Sequence, residues 1–331
     1  MLRLFALLFS LIALPAYAQC VGTDLISEMN PERRAALYDA ANDDPYPNGF
    51  LWQATRGDQI IHLIGTLHVY DPRHQATFDQ VKPWLDAADT ILLELGDGDE
   101  ARVQAAMATN PGLGYIVDGP TLPELLSPED WALLSNAMKS RGIPGFLAAK
   151  MKPWTVLITL GSSACLLGEV QQGKRGLDHL ILDYAASIEN PGQALEPFDT
   201  AFHLFDAYDQ DEILEFVRLT LRLEDFSPDD QLFTTIQAYF RGDVRIIWEF
   251  ALDQGLAHPQ GMSRDDILAE YAKLEEALIY NRNRAWMDPI LTAADKGRVV
   301  VAAGALHLPG EDGVLRLLEK HGFTLLRIPQ K

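Results

Sequence analysis

Cysteine is nearly absent from this 331-residue chain: Cys20 and Cys165 are the only two. Two thiols cannot build a cysteine-based zinc site, so a metal centre would have to rest on histidine and carboxylate. Positive charge is scarce as well, with 27 Lys and Arg against 47 Asp and Glu and a formal net charge of −20. Binding to nucleic acid depends on Lys and Arg neutralising phosphates. The balance therefore argues against a nucleic-acid partner or an anionic lipid surface, and favours neutral or cationic ligands. Long apolar runs are missing beyond the N-terminus. The most apolar later stretch, residues 147–167, is interrupted by Lys150, Lys152, Pro153, Gly161 and two serines, and reads as a buried helix rather than a membrane span. There is no His-Glu-x-x-His, no Gly-x-Ser-x-Gly and no Walker A loop, which sets aside zincins, nucleophile-elbow hydrolases and P-loop enzymes. Residues 96–101 have Gly-x-Gly-x-x-Ala spacing, but Asp97, Asp99 and Glu100 would repel a pyrophosphate, so they do not mark a dinucleotide site.

What is present begins with a leader. Arg3, an apolar stretch over residues 4–14 and Ala16-Tyr17-Ala18 form the pattern of a secretory signal peptide over residues 1–18, and the apolar stretch is too short to span a bilayer. Residues 19–331 are then expected as a single exported domain, periplasmic or secreted, with no stable membrane span. Gln19 is large for the position before a lipidated cysteine. In an exported protein two cysteines suggest one disulfide, Cys20 to Cys165.

Residues 50–56 and 59–65 flank Gly57-Asp58 and read as a β-hairpin. Residues 76–88 read as a helix and 90–95 as a buried strand. From 99 to about 295 the pattern is mostly helical, punctuated by Pro and Gly, with a short strand at 193–196 and a long helix near 265–296. A strand at 298–303, a helix at 310–321 and a strand at 323–328 close the chain. The expectation is an α/β fold, a mixed central sheet with a large, mainly helical insertion between its N- and C-terminal sheet elements.

One pattern occurs at both ends of that sheet. Ile60-Ile61-His62-Leu63-Ile64-Gly65-Thr66-Leu67-His68 and Val299-Val300-Val301-Ala302-Ala303-Gly304-Ala305-Leu306-His307 are apolar runs closing on Gly-x-x-His. Either histidine alone reads as a loop residue, but two at the ends of buried strands lie where α/β sheets gather ligands. Glu94 falls in an otherwise apolar strand, where a carboxylate needs a partner. Two histidines and a carboxylate are the minimum set for a catalytic divalent metal that lowers the pKa of water and polarises a carbonyl. Asp71 and His74 could add a ligand or a base. Arg282 and Asn283 could hold a substrate carboxylate or a polarised carbonyl oxygen.

With these residues, the chain resembles the TraB/GumN family, which includes the Tiki-type metalloproteases. The resemblance rests on Gly65-Thr66-Leu67-His68, Glu94, Gly176-Leu177-Asp178, Leu195-Glu196, Arg282-Asn283 and residues 304–310. The chain departs from the pattern where Pro197 follows Glu196. The resemblance implies a metal-dependent peptidase or related hydrolase, with His68, Glu94 and His307 as catalytic and metal-binding residues and Arg282 and Asn283 as substrate-binding residues. Its cofactor would be a divalent ion such as manganese, cobalt or zinc, and its substrate a peptide or other small molecule. A second reading is a noncatalytic protein holding haem, a metal or a small ligand in the same cleft.

Overall fold

The computed structural model describes residues 20–205, 207–222, 227–259 and 261–331, so the leader expected at 1–18 lies outside the described residues. Strand β1 (Leu51–Arg56) turns into β2 (Gln59–Thr66) through Gly57-Asp58. Gly57 takes φ +58° there, a conformation open to glycine without a Cβ penalty. With β3 (Thr90–Leu93), β4 (Gln193–Ala194), β5 (Val299–Gly304) and β6 (Thr324–Arg327), the strands form one mixed sheet in the order β4-β3-β5-β2-β1-β6. The first four in that order are parallel neighbours, and β1 is antiparallel to both β2 and β6. Among the described residues, the elements between β3 and β5 are helices apart from β4 and an isolated bridge between Tyr115 and Met151, which is the expected α/β class with its helical insertion.

The register explains why the two Gly-x-x-His motifs look alike. β2 pairs Gly65 with Ala303 and Thr66 with Gly304, and β3 pairs Leu93 with Ala302. β2 and β5 thus end level and β3 two residues earlier, so the residues that follow all three leave the sheet at its same end. Val299, Val300 and Val301 are buried throughout, as a strand covered on both faces requires. Helix Leu177–Ser187 packs against β3, β5 and helix His74–Asp86, while helix Asn281–Ala294 packs against β2, β5 and helix Val314–Lys320. The insertion has a core of its own, including Leu122, Leu134, Met138, Val156, Leu160 and Val217.

Three expectations need correction. The 147–167 stretch is not one buried helix: it breaks into Gly145–Ala148, Pro153–Gly161 and Ala164–Gln171, the last two meeting at 98°. Proline starts the second piece because it lacks an N–H that an interior position would need. Phe146 and Ile158 on these pieces are exposed, and among the described residues no single helix is long and apolar enough to cross a membrane. Strand β3 stops at Leu93, so Glu94 lies just beyond it rather than inside it. The long helix near 265–296 carries a π-helical turn, Glu276–Tyr280, between Arg264–Glu275 and Asn281–Ala294. Such widened turns are frequent at functional sites, and this one ends two residues before Arg282.

Cys20 and Cys165 are joined, closing a sequence separation of 145 residues. The segment after Cys20 is also held by backbone donors: Thr23 N–H reaches Asp230 Oδ1 at 2.6 Å and Leu25 N–H reaches Thr234 Oγ1 at 2.9 Å. Replacing both cysteines by serine should lower the unfolding free energy by about 2–4 kcal/mol, as a cross-link over a long loop does, read by urea denaturation. A double variant as stable as the parent would mean that those hydrogen bonds already close the loop.

Candidate functional site

His68 follows β2 in a loop that only a glycine neighbour permits. A Cβ on Gly176 would stand 2.2 Å from Leu67 O and 2.6 Å from His68 Cα. That contact brings the first turn of helix Leu177–Ser187 against the loop and sets Asp178 Oδ2 at 3.1 Å from His68 Nδ1 and 2.9 Å from His179 Nδ1. His68 Nε2 faces Glu94 Oε1 at 3.8 Å, and the His68 side chain is 58% exposed at the mouth of the cleft. The crowding of protein around it opposes a charge on His68. The hydrogen bond and charge of Asp178, with Glu94, outweigh that and raise its pKa to about 9. Asp178 is held well below the usual carboxylate range: burial opposes this, but His179 and His68 prevail.

Arg282 lies on the other side of Glu94. Its Nη2 donates to Glu94 Oε2 at 2.6 Å and to Glu196 Oε1 at 2.7 Å, and its Nε donates to Glu196 Oε2 at 2.8 Å. Its Nη1 donates to Leu278 O at 3.0 Å and to His307 Nε2 at 3.1 Å. A guanidinium has five N–H groups, and all five are committed. Trp286 Nε1 adds a donor to Glu196 Oε2 at 3.1 Å.

The protonation of His307 follows from its neighbours. Asn283 Nδ2 donates to His307 O at 3.1 Å and to Asp312 O at 2.9 Å, so both amide hydrogens are used and Oδ1 is an acceptor. That oxygen lies 2.6 Å from His307 Nδ1, which therefore carries the hydrogen and leaves the Nε2 lone pair for Arg282. Burial pushes the His307 pKa down to about 3. Burial would raise Glu94, but His307, His68, Arg282 and the Gly304 N–H at 2.6 Å bring it down to about 2. Since His307 is neutral above about 3, the charge that holds Glu94 ionised is that of Arg282 and His68.

His68, Glu94 and His307 do meet. A Cβ on Gly304 would lie 3.2 Å from Glu94 Oε1, 3.5 Å from His68 Nε2 and 3.6 Å from His307 Cδ2. Beside them opens a cleft of about 280 Å³ whose walls include Thr66, Leu93, Leu95 and Leu182. Thr66 Oγ1 and Asp178 Oδ1 are buried there without a hydrogen-bond partner among the described residues. Asn283 is fully buried and spends its amide on His307 and Asp312, so it positions His307 instead of touching substrate. Arg282 has no free donor for a substrate anion. His74 is buried with Nε2 on Val69 O at 2.9 Å, and Asp71 is tied to Arg73 at 2.8 Å; both serve the loop after His68 and stay outside the cleft.

As a metal centre the three expected ligands do not fit as they are placed. Among the described residues no group of three or more His, Cys, Asp or Glu side chains is arranged to hold an ion. The physical reason is Arg282, whose guanidinium engages both Glu94 Oε2 and His307 Nε2.

Residues 50–327 match the model of the TraB/PrgY/gumN family. The chain belongs to that family. It is 25% identical over 279 residues to the uncharacterized protein YbaP of Escherichia coli (strain K12), a match covering 82% of this chain and 94% of that protein. The YbaP of Shigella flexneri matches to the same extent. No solved structure matches the chain. The TraB/PrgY/gumN match runs from just before β1 to the end of β6, so it contains every residue of the cleft.

Asp178, His179, Glu196 and Trp286 carry structural roles that the sequence pattern left without chemistry. Asp178 had a signal, since Gly-Leu-Asp opens a helix where an acidic residue suits the helix dipole. Glu196 had only its place after a short edge strand. Nothing in the spacing announced Trp286.

These protonation states are measurable. In metal-free protein, 15N NMR should show His68 keeping both ring protons until about pH 9, and His307 neutral above about pH 3. Because the folded-state pKa of His68 lies above its ordinary 6.5, its contribution to stability is complete below that value and is lost as pH rises towards 9. His68→Gln should flatten the stability profile across that window. A His68 that titrates near 6.5 would contradict the assigned pair with Asp178.

Proposed function

We propose that this protein is a hydrolase of peptides or related small amide substrates, exported to the periplasm or beyond, where a disulfide such as Cys20–Cys165 persists. The observation that carries this reading is His68, oriented by Asp178 through Nδ1 and facing ionised Glu94 through Nε2 across 3.8 Å at the mouth of the cleft. A histidine fixed by a carboxylate and open to a cleft is the arrangement of a general acid or base.

The roles follow from the ionisation states. His68 enters the cycle protonated, so its Nε2–H can be donated to a substrate carbonyl oxygen or to the leaving nitrogen. Glu94 is ionised and accepts the proton of an attacking water. Arg282 keeps it ionised and turned toward His68. Leu93, Leu95 and Leu182 offer an apolar wall for a side chain next to the scissile bond, while Asp178 and Glu100 at the cleft favour a neutral or cationic group. A divalent ion of the manganese, cobalt or zinc kind would polarise the carbonyl further. The residues as placed do not hold one, so no step depends on it.

The test is a mixed peptide library incubated with the parent protein, His68→Gln, Glu94→Gln and Asp178→Asn. The first two variants should lose about 10²–10⁴ in kcat/KM without a matching fall in melting temperature. Asp178→Asn should lower kcat and move the pH profile, because its task is to hold and charge His68. A parent protein that retains ligands but turns none over would replace the hydrolase by a binding protein.

A further inference from the structure

We propose that the helical insertion carries a second binding site, separate from the cleft, for a small ligand with an apolar body and one ammonium group. Helices Gln210–Leu221, Ile246–Ala257 and Arg264–Glu275 supply most of the wall of a pocket of about 430 Å³ that shares no residue with the lining of the cleft. Phe216, Trp248 and Leu278 stand in that wall, and a pocket of this size with a mainly apolar lining is the usual form of a small-molecule site. Most of its polar side chains are spent on the backbone. Thr220 Oγ1 donates to Phe216 O at 2.8 Å and Tyr271 Oη to Ala251 O at 2.7 Å, while His258 Nδ1 lies 3.1 Å from Gln254 O. Glu270 is the exception: it is the one carboxylate in the wall, which holds no Lys or Arg among the described residues. Its Oε2 is buried there without a hydrogen-bond partner among the described residues.

A carboxylate oxygen cut off from water is stabilised by a hydrogen-bonded cation, and the lysine one helical turn on does not serve. Lys273 holds its Nζ 3.7 Å from the centre of the Tyr208 ring and 3.5 Å from Glu212 Oε1. A ligand ammonium supplies the missing donors, and the aromatic side chains Phe216 and Trp248 suit an aromatic body beside it. A ligand carboxylate would meet Glu270 as a like charge, and an uncharged ligand would leave it without a counter-ion. The widened turn Glu276–Tyr280 reaches the pocket through Leu278, whose carbonyl accepts from Arg282 Nη1. Turns of this kind collect at functional sites, and this one borders the pocket as well as Arg282.

Calorimetry on the full-length protein with phenylbutylammonium, phenylbutanol and phenylbutyrate tests the site. The ammonium should bind one to one and at least about tenfold tighter than the alcohol, the factor that a charge-assisted hydrogen bond to Glu270 supplies, and the carboxylate should not bind. Glu270→Gln should bring the ammonium down to the affinity of the alcohol. Ala251→Phe, which fills the pocket from helix Ile246–Ala257, should weaken the ammonium and the alcohol alike. Melting temperatures identify the variants that fold, and the comparison of the three probes on the parent protein needs no variant. Unchanged ammonium affinity in folded Glu270→Gln would overturn the site. Carboxylate binding as tight as the ammonium, or no saturable binding of the ammonium by the parent, would overturn it equally. Each of these results leaves the hydrolase reading of the cleft where the peptide library puts it.

Discussion

The five-fold engagement of Arg282 is the interaction on which the rest of the cleft depends. Glu94 and Glu196 come from the ends of neighbouring strands and are only 16% and 10% exposed. Carboxylates so placed lose much of their hydration and stay ionised only with a charged, hydrogen-bonded partner. Arg is suited to that task because its planar fork meets two carboxylates and a ring nitrogen at once without giving up its proton. Lysine, a point charge with three donors, could not reach the same set.

The sheet supplies the convergence and two glycines supply the closeness. Parallel register brings the ends of β3, β5 and β2 within two residues of one another, but a methyl group at Gly304 would crowd Glu94 Oε1, and one at Gly176 would strike the backbone of His68. The function of these glycines is thus geometric: the backbone must pass where a side chain would stand. Asn283 does comparable work on the other histidine by fixing its tautomer, and it is the reason that His307 meets Arg282 as a lone pair instead of as a second positive charge.

Much of this was legible in the sequence where one physical pattern dominates. The hairpin at Gly57-Asp58, the buried run Val299-Val300-Val301 and the doubled Gly-x-x-His announced the sheet and two of the cleft residues, His68 and His307, because parallel-strand burial and tight turns leave strong local marks. The disulfide followed from there being only two cysteines. Other features depended on distant partners. Glu94 reads as a strand residue by its neighbours, yet it is drawn out past β3 by Gly304 N–H and Arg282, residues about two hundred positions away. Asn283 and Arg282 look like a polar helix face that could meet a substrate, and only the packing of helix Asn281–Ala294 against β5 turns them inward. The break-up of residues 147–167 was hidden for the same reason: hydropathy reports an apolar segment but not the start of a new helix at Pro153 or the 98° corner between Gly161 and Ala164, where Ser163 caps the next helix.

Arg282 and Glu196 stabilise the cleft as a coupled pair, and a double-mutant cycle between Arg282→Met and Glu196→Gln, read by urea denaturation at pH 7, tests that directly. Removing either partner alone leaves a charge or a polar group uncompensated, so each single variant should cost about 3–5 kcal/mol. The double variant should then cost less than their sum by at least about 1 kcal/mol. Strict additivity of the two single losses would show that Arg282 and Glu196 do not act on one another, and would contradict the account at its centre.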